Sequence, residues 1–272
     1  MDNNSTDCSI DILREFGDNI IIKKNNQNLG FAKANNQGMD LAKGKYLLIL
    51  NNDTIFIENT LKKILEVSQR LERDFIVGCK LLNEDGTNQV SIVDFENIGN
   101  VIGENLFLYK LFPKSKLFNR FHLNYKSIYT ITEVDIVKGA FLFCKNETYK
   151  ALEGFDENFY FYAEEADLCK RLKKRGGNVF FFPETSIIHL GGATTDKIPW
   201  FKYKNQCIAK IKFYQKHYSG ITFATILSFH YFGIFIRIPL YLLGGIFLLK
   251  KNLIVKGFYY FKQLFIYPKN IY

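Results

Sequence analysis

Apolar and polar positions along the chain fall into short blocks, not one sustained period. Tyr46–Leu50 and Phe75–Leu82 are apolar runs of strand length, the pattern of strands covered on both faces. Ile20–Ile22 reads as a shorter buried strand. Val134–Cys144 returns to strand composition around Gly139, and Val179–Phe182 and Ser186–Leu190 read as two more short strands. Between them lie helical periods: Phe31–Ala42 stopped by Gly44, Asn59–Leu71, Ala163–Arg175 closed by Gly176-Gly177, and Trp200–His217. Asn25–Gly30 and Asn83–Gly86 have turn composition. Val90–Thr130 has no clear period and reads as an irregular, aromatic, partly basic insertion. This alternation predicts an α/β fold with a mixed, mostly parallel sheet flanked by helices. Ligands of such sheets collect at the carboxyl ends of the strands, so the end of the Tyr46–Leu50 run carries the most interest.

Beyond residue 198 the pattern changes. Ile221–Leu249 is strongly apolar, with Lys210, Lys212 and Lys216 ahead of it and Lys250 and Lys251 behind. A spanning helix needs roughly 20 apolar residues. The stretch is long enough, but His230, Arg237 and Pro239 interrupt it. An interfacial or re-entrant pair of helices flanked by lysines fits better than a clean span, and an ordinary buried helical pair is the alternative. The chain therefore divides into an α/β part, residues 1–198, and a basic, apolar helical part, residues 199–272.

Composition narrows the partners. With 27 Phe and 16 Tyr in 272 residues a substantial core is available, which excludes a disordered chain. The net charge of +9 suits an anionic partner: a nucleotide diphosphate, nucleic acid or anionic lipid. No basic run interleaved with aromatics and no zinc-finger spacing is present, so nucleic acid is set aside. Five cysteines without a C-x-x-C pair point to free thiols in a reducing compartment. Met1–Asp11 is polar and acidic, not a secretory signal. The chain enters directly into the turn composition Asp2–Asp7.

Three groups of residues could carry chemistry. Asn51-Asn52-Asp53 places a carboxylate at the carboxyl end of a buried strand, which suits a hard cation such as Mg²⁺ or Mn²⁺; the plain alternative is a strand-ending turn with Asp53 capping a helix. In Glu164-Glu165-Ala166-Asp167-Leu168, helical spacing puts Glu165 on the inward stripe with Leu168, Cys169 and Leu172. Glu164 and Asp167 fall on another face, towards Arg171, where acids in a first turn favour the helix dipole. Glu165 is thus the candidate general base. His189 ends a short strand before Gly191-Gly192; it is either structural or a ligand.

Taken together and in order, these residues resemble family-2 glycosyltransferases, in particular their rhamnosyltransferase-like branch. Asn28-Leu29-Gly30-Phe31-Ala32-Lys33-Ala34-Asn35-Asn36-Gln37-Gly38 is similar to the family's N-x-G-[FY]-[AG]-x-[AG]-x-N-x-G helix, and Leu50-Asn51-Asn52-Asp53-Thr54 to its D-x-D-type metal motif. Gly139-Ala140 is similar to its acceptor-side small pair. Glu153-Gly154-Phe155-Asp156-Glu157, then Glu164–Leu168, Arg171 and His189, follow its G-F-D-E…E-D-x-D-L-x-x-R…H order. The agreement covers roughly residues 1–192.

The resemblance implies a GT-A (Rossmann-related) fold and single-displacement, inverting transfer of a sugar, rhamnose among the candidates, from a nucleotide-diphosphate donor. The acceptor would be lipid-linked or a polysaccharide, at the cytoplasmic face of the cell membrane. Residue by residue, Asp2, Asn28, Gly30, Asn35, Asn52 and Asp53 would bind the donor. Asp53 and His189 would hold a divalent metal, Mg²⁺ or Mn²⁺. Glu165 would be the base with Glu164 beside it, and Gly139, Asp156 and Asp167 would support the acceptor side. Two departures stand out. Glu164-Glu165 replaces the family's E-D pair. The family also opens with a strand, a loop, a helix and a second strand ahead of the position of Asp2, so the resemblance implies missing first elements, most simply through a start site placed too far downstream. A catalytically inactive remnant that only binds, and a nucleotidyltransferase on a similar sheet, are the competing readings.

Overall fold

Apolar runs of this kind need cover on both faces, and the fold supplies it. The computed structural model describes residues 1–118, 128–191 and 198–267. In chain order its elements are α1 (Ser9–Arg14), α2 (Phe31–Leu41), β1 (Tyr46–Leu50), β2 (Thr54–Phe56), α3 (Thr60–Ser68), β3 (Phe75–Leu82), β4 (Ile92–Val93), α4 (Ile98–Asn105) and α5 (Leu108–Leu111). There follow β5 (Thr132–Glu133), β6 (Ile136–Val137), β7 (Phe141–Lys145), α6 (Asn146–Ala151), α7 (Glu164–Lys174), β8 (Asn178–His189), α8 (Pro199–His217), α9 (Gly220–Phe247) and α10 (Lys251–Gln263).

The main sheet has the order β1-β7-β3-β8-β2, with β5 also paired to β8. β7 is antiparallel to both β1 and β3, and β3 runs parallel to β8. β1, β3 and β8 therefore all point the same way, so the mixed sheet has a parallel backbone. β2 and β5 run against β8. Side chains alternate strictly: Leu142, Cys144 and Ile76 face one core with Leu168, Cys169 and Leu172 of α7. Phe141, Phe143, Phe75 and Val77 face the other core with Ile64 of α3. Period-two alternation of apolar residues on both faces is what a sheet between two helical layers requires.

Several boundaries differ from the sequence reading, each for a tertiary reason. Ile20–Ile22 is not a buried strand; Ile21 is 73% exposed, and pairing here is limited to the single Asp2–Lys24 bridge. The two runs ending at Phe182 and starting at Ser186 form one strand, β8. Its register against β3 slips between Cys79 and Lys80, leaving Pro183, which has no N–H to donate, in a bulge. The insertion contains helices: α4 (Ile-Gly-Asn-Val-Ile-Gly-Glu-Asn) is built from weak helix formers, capped by Asn97, which accepts from the Asn100 N–H at 3.0 Å. It is held by α9, where a Cβ on Gly233 would come within 1.9 Å of Asn105 Oδ1. Residues 119–127 of this insertion lie outside the described residues.

The long apolar stretch is also one helix, α9, not two, with Pro239 inside it. The residues expected to interrupt it have partners instead. Arg237 donates to Asn105 Oδ1 at 3.0 Å and to Glu104 O at 2.9 Å, and His230 lies against Cys207 Sγ. The pair of helices is made by α9 and α10, antiparallel and in close contact where Gly245 meets Ile254 and Gly257 meets Leu242. All five cysteines are free, four of them buried.

At the sheet centre, a Cβ on Gly78 would lie 2.6 Å from Val137 Cβ. Gly78→Ala should therefore cost about 1–3 kcal/mol by overpacking, lowering Tm by roughly 2–4 °C per kcal/mol. Adding Val137→Ala should recover part of that loss in a thermal melt; an undiminished loss in the double variant would reject this contact as the cause.

Candidate functional site

The common direction of β1, β3 and β8 brings their carboxyl ends to one edge. β1 ends into Asn51-Asn52-Asp53, β8 ends at His189, and the segment after β3 supplies Gln89. Strand pairing aligns Thr54 with His189, and the Leu190 N–H donates to Asp53 O at 2.9 Å. Asp53 Oδ1 thereby sits 3.3 Å from His189 Nε2, and the Asn51 amide reaches the same nitrogen at 3.2 Å.

Gln89 decides the chemistry of that imidazole. Its Nε2 donates to Asn83 Oδ1 and to His189 O, both at 3.0 Å, so its Oε1 is the atom facing His189 Nδ1 at 2.6 Å. An amide oxygen only accepts; the proton therefore rests on Nδ1, and the Nε2 lone pair, which accepts from the Asn51 amide at 3.2 Å, lies 3.3 Å from Asp53 Oδ1. Asp53 Oδ1 is buried without a hydrogen-bond donor. A lone pair and an orphaned carboxylate oxygen turned towards each other fit a divalent cation with an imidazole and a carboxylate ligand, the Gln89 carbonyl supplying the outer contact. Among the described residues no group of three or more His, Cys, Asp or Glu gathers as a closed cage. Two protein ligands are what a Mg²⁺- or Mn²⁺-type site shared with a diphosphate uses.

Glu165 stands beside this edge. The Asn51 N–H donates to Ala140 O at 3.1 Å, and a Cβ on Gly139 would meet the Glu165 side chain at 3.6–3.9 Å. Lys138 Nζ lies 3.9 Å from Glu165 Oε1. Tyr162 and Ala163, both at positive φ, turn the chain sharply into α7, a costly conformation for residues with side chains.

Asp167 pairs with Arg171, as helical spacing implies, but in place of an open first-turn position both acids, Glu164 and Asp167, are buried. Glu164 has Oε2 without a partner, and burial, then the neighbouring Glu165, raises its pKa well above the ordinary value, so it keeps its proton. Asp167 is fully buried, between Arg171 Nε (2.7 Å), Lys216 Nζ (2.7 Å) and His217 Nε2 (2.8 Å). Burial opposes its charge, but His217 and Arg171 outweigh that and hold the pKa at about 2. Helical period shows one inward stripe; here α8 covers a second face of α7, which no spacing reveals. Asp156 joins the same network through Lys216 at 2.6 Å.

The remaining expected residues gather elsewhere. Asp2 is buried and accepts from the Ser5 N–H at 3.2 Å. Asn28 Oδ1 accepts from the Gly30 N–H and from Asn3 Nδ2, both at 3.0 Å. Gly30 has φ 85° and no room for a Cβ against Tyr160 O. The Asn35 amide bonds back to Phe31 O within α2, and Asn52 is exposed at the turn tip. Gly192 lies outside the described residues.

The sequence reading passed over three working amides: Asn3, Gln89 and Asn36. Asn36 Oδ1 accepts from Tyr149 Oη (2.6 Å) and the Phe155 N–H (2.9 Å), while its Nδ2 donates to Phe155 O (2.9 Å). It ties α2 to the Gly154–Glu157 loop. Its place in the Asn-Asn pair of α2 was a signal; Gln89, in a loop, offered none.

A cavity of about 440 Å³ elsewhere is lined by Arg171, Lys174, Arg175 and Lys216. Arg171 and Arg175 donate there to the carbonyls of Leu152, Gly154 and Ala151. These cations offset converging helix C-termini rather than marking the site.

Comparison with known proteins follows the same lines. The sequence model described as Glycosyl transferase family 2 matches residues 1–131. The chain is 26% identical over 168 residues to Rhamnosyltransferase WbbL of Escherichia coli (strain K12), covering 59% of this chain and 60% of that protein. It is 29% identical over 181 residues to O-antigen biosynthesis protein RfbC of Myxococcus xanthus, covering 62% of this chain and 13% of that protein. These matches thus span no more than 60% of either curated relative. Among solved structures, mannosyltransferase PcManGT from Pyrobaculum calidifontis, in complex with GDP-Man and Mn²⁺, superposes with a TM-score of 0.52 at 13% identity, covering 96% of this chain and 74% of that one. That likeness shows the fold.

Two outcomes are expected. Gln89→Leu frees the His189 ring and should weaken Mn²⁺ binding by about 10–100-fold, read by electron paramagnetic resonance of free Mn²⁺. Glu164→Gln removes a carboxyl whose folded pKa lies above its ordinary 4.5. The native state loses stability through this group as pH rises from there through the folded value, so the variant's Tm should match wild type below about pH 4 and exceed it increasingly at higher pH. A Tm difference independent of pH would refute the buried, protonated Glu164.

Proposed function

Residues 1–131 belong to glycosyl transferase family 2, and from that footing we propose that this chain, a glycosyltransferase of GT-A fold, is a metal-dependent, inverting enzyme. It moves a sugar from a nucleotide-diphosphate donor to a lipid-linked or polysaccharide acceptor of the cell surface. The observation that carries this reading is the paired Asp53 carboxylate and His189 Nε2 at the carboxyl edge of the sheet, with Glu165 beside it. The names of WbbL and RfbC support rhamnose as the first sugar to test and surface-polysaccharide synthesis as the setting. The Mn²⁺ in the mannosyltransferase complex supports the choice of metal.

In this mechanism Asp53 and His189 would hold the divalent cation. When bound, the cation offsets the charge that develops on the leaving diphosphate. Asn28, Gly30 and Asn3 shape the turn that meets the nucleotide, Asp2 fixes that turn from below, and Asn35 and Asn52 complete the donor side. Glu165 takes the proton of the acceptor hydroxyl while that oxygen forms its bond to the anomeric carbon and the bond to the diphosphate oxygen breaks on the opposite face. Glu164, buried and protonated, leaves the base role to Glu165 and holds the start of α7. Gly139 lies against the Glu165 side chain at the strand end. Asp156 and Asp167 anchor the loop and helix that carry the base. We assign the donor chemistry to residues 1–198 and membrane attachment, at the cytoplasmic face, to residues 199–272.

Calorimetric titration with UDP and dTDP, each with and without Mn²⁺, tests this. Binding of one nucleotide should require Mn²⁺ and disappear in Asp53→Ala. Glu165→Gln should keep that binding and lower sugar transfer by about 10²–10⁴-fold. A folded chain that binds neither nucleotide would point instead to an inactive, binding-only protein.

A further inference from the structure

α9 is the one described helix long and apolar enough to cross a membrane by length and composition. Its two sides differ sharply. The inward stripe, Ile226, His230, Gly233 and Ile234, is buried against α4 and α8. Arg237, next on that stripe, donates to Asn105 Oδ1 and Glu104 O, and its guanidinium lies 4.7 Å from the Phe107 ring centre. The outward stripe runs the length of the helix at three- and four-residue spacing and carries no charge: Ile221, Phe232, Phe235, Leu243 and Ile246 are all exposed. At 1.5 Å per residue the stripe from Ile221 to Ile246 is about 38 Å long. It ends in the hairpin tip Phe247-Leu248-Leu249, with Leu249 92% exposed, directly before Lys250 and Lys251. α10 continues the surface with exposed Phe258 and Phe261, and the turn after it adds exposed Phe265.

The charge pattern says what covers this surface. Residues 199–272 hold eleven Lys or Arg and no Asp or Glu, which exceeds the net charge of +9 for the whole chain. Exposed Lys250, Lys251 and Lys262 flank the apolar stripes. A cluster of amphipathic aromatics lies beside them: Trp200 is 5.7 Å and Tyr203 5.3 Å from the Tyr259 ring, and Lys262 Nζ lies over Trp200. Apolar stripes edged by lysines and by Trp and Tyr are the composition that rests at the boundary between headgroups and acyl chains.

We propose that the α9–α10 hairpin is an in-plane anchor: its outward stripes and its tip embed in one leaflet of an anionic bilayer, and α9 does not span it. Spanning would pull Arg237 away from α4 and strip Gly233 from Asn105, contacts that make α9 part of the protein body. This deepens the membrane part of the proposed function but does not depend on catalysis, because lipid binding is read without donor or acceptor.

The single tryptophan, Trp200, is a native probe at this surface. The full chain is mixed with vesicles of phosphatidylcholine, or of phosphatidylcholine with phosphatidylglycerol, and followed by Trp200 emission, flotation and carbonate extraction. Expected are a blue shift and flotation with the anionic vesicles, quenching by lipids brominated near the headgroup end, weakening in high salt, and release by alkaline carbonate. Lys250→Glu with Lys251→Glu should cost about fivefold per lysine on anionic vesicles. Phe235→Asp with Phe258→Asp should abolish binding to the anionic vesicles, while circular dichroism and metal-dependent nucleotide titration report that these variants remain folded. Carbonate-resistant, deeply quenched protein would overturn the in-plane anchor in favour of a span. Folded protein that floats with neither vesicle, or that instead forms a concentration-dependent dimer, would overturn it in favour of a soluble face or a second copy. In either case nucleotide binding is untouched, so failure here is distinct from failure of the transferase reading.

Discussion

A sheet with apolar side chains on both faces has to be covered twice, and nearly everything else in this protein follows from that requirement. β3 and β7 alternate residue by residue between two cores. One face takes α3. The other takes α2, α6 and α7, the helices that bear the candidate site. Because that face is sealed by apolar contacts of α7, the amino end of the same helix is carried to the edge where β1 and β8 end. The site is thus a by-product of covering the sheet: two strand ends and one helix start meet there because the layers allow no other arrangement.

What keeps the site's parts in register is a set of buried polar contacts, and these carry a higher energetic stake than their number suggests. Asn36 satisfies its amide on the Gly154–Glu157 loop, and Asp167 satisfies its carboxylate on α8. Left unpaired in such surroundings, each group would cost far more than the net gain of one hydrogen bond. Lys216 and His217 of α8, with Arg171 of α7, hold this buried carboxylate in its charged form against the cost of burial. The helical C-terminal part is therefore not a loose appendage. It reaches the helix of the candidate base through Lys216 and His217, and the insertion through Arg237.

That coupling gives the apolar hairpin a mechanical meaning. In the proposed in-plane mode, the membrane-facing surface of α9 and α10 is joined through α8 to the helix that bears Glu165. An acceptor arriving from the bilayer and a donor arriving from solution would meet at an orientation set by packed helices, not by a flexible tether.

How much of this could be read in advance depends on the range of the interaction involved. Local period located β1, β3, α2, α7 and α8 within a residue or two and put Glu165 forward as a base, because these rest on interactions within one element; the strand-end positions of Asp53 and His189 leave a structural role open, and it is the family resemblance that implies their role as ligands. The ordered motifs gave the family, which the match over residues 1–131 agrees with. The sequence by itself therefore determined the α/β class, the resemblance to glycosyl transferase family 2 and the acids to consider. Only the tertiary structure decided the rest. It put His189 against Asp53 through the pairing of β2 with β8. It chose the imidazole tautomer through Gln89, buried Glu164 and Asp167 under a second helical neighbour, left Ile20–Ile22 without a ladder, and turned an interrupted apolar stretch into one helix by giving His230 and Arg237 partners about 23 and 132 residues away. Each of these depends on contacts between segments distant in the chain, and a pattern of period 2 or 3.6 shows which side of an element is apolar, not what will come to cover the other.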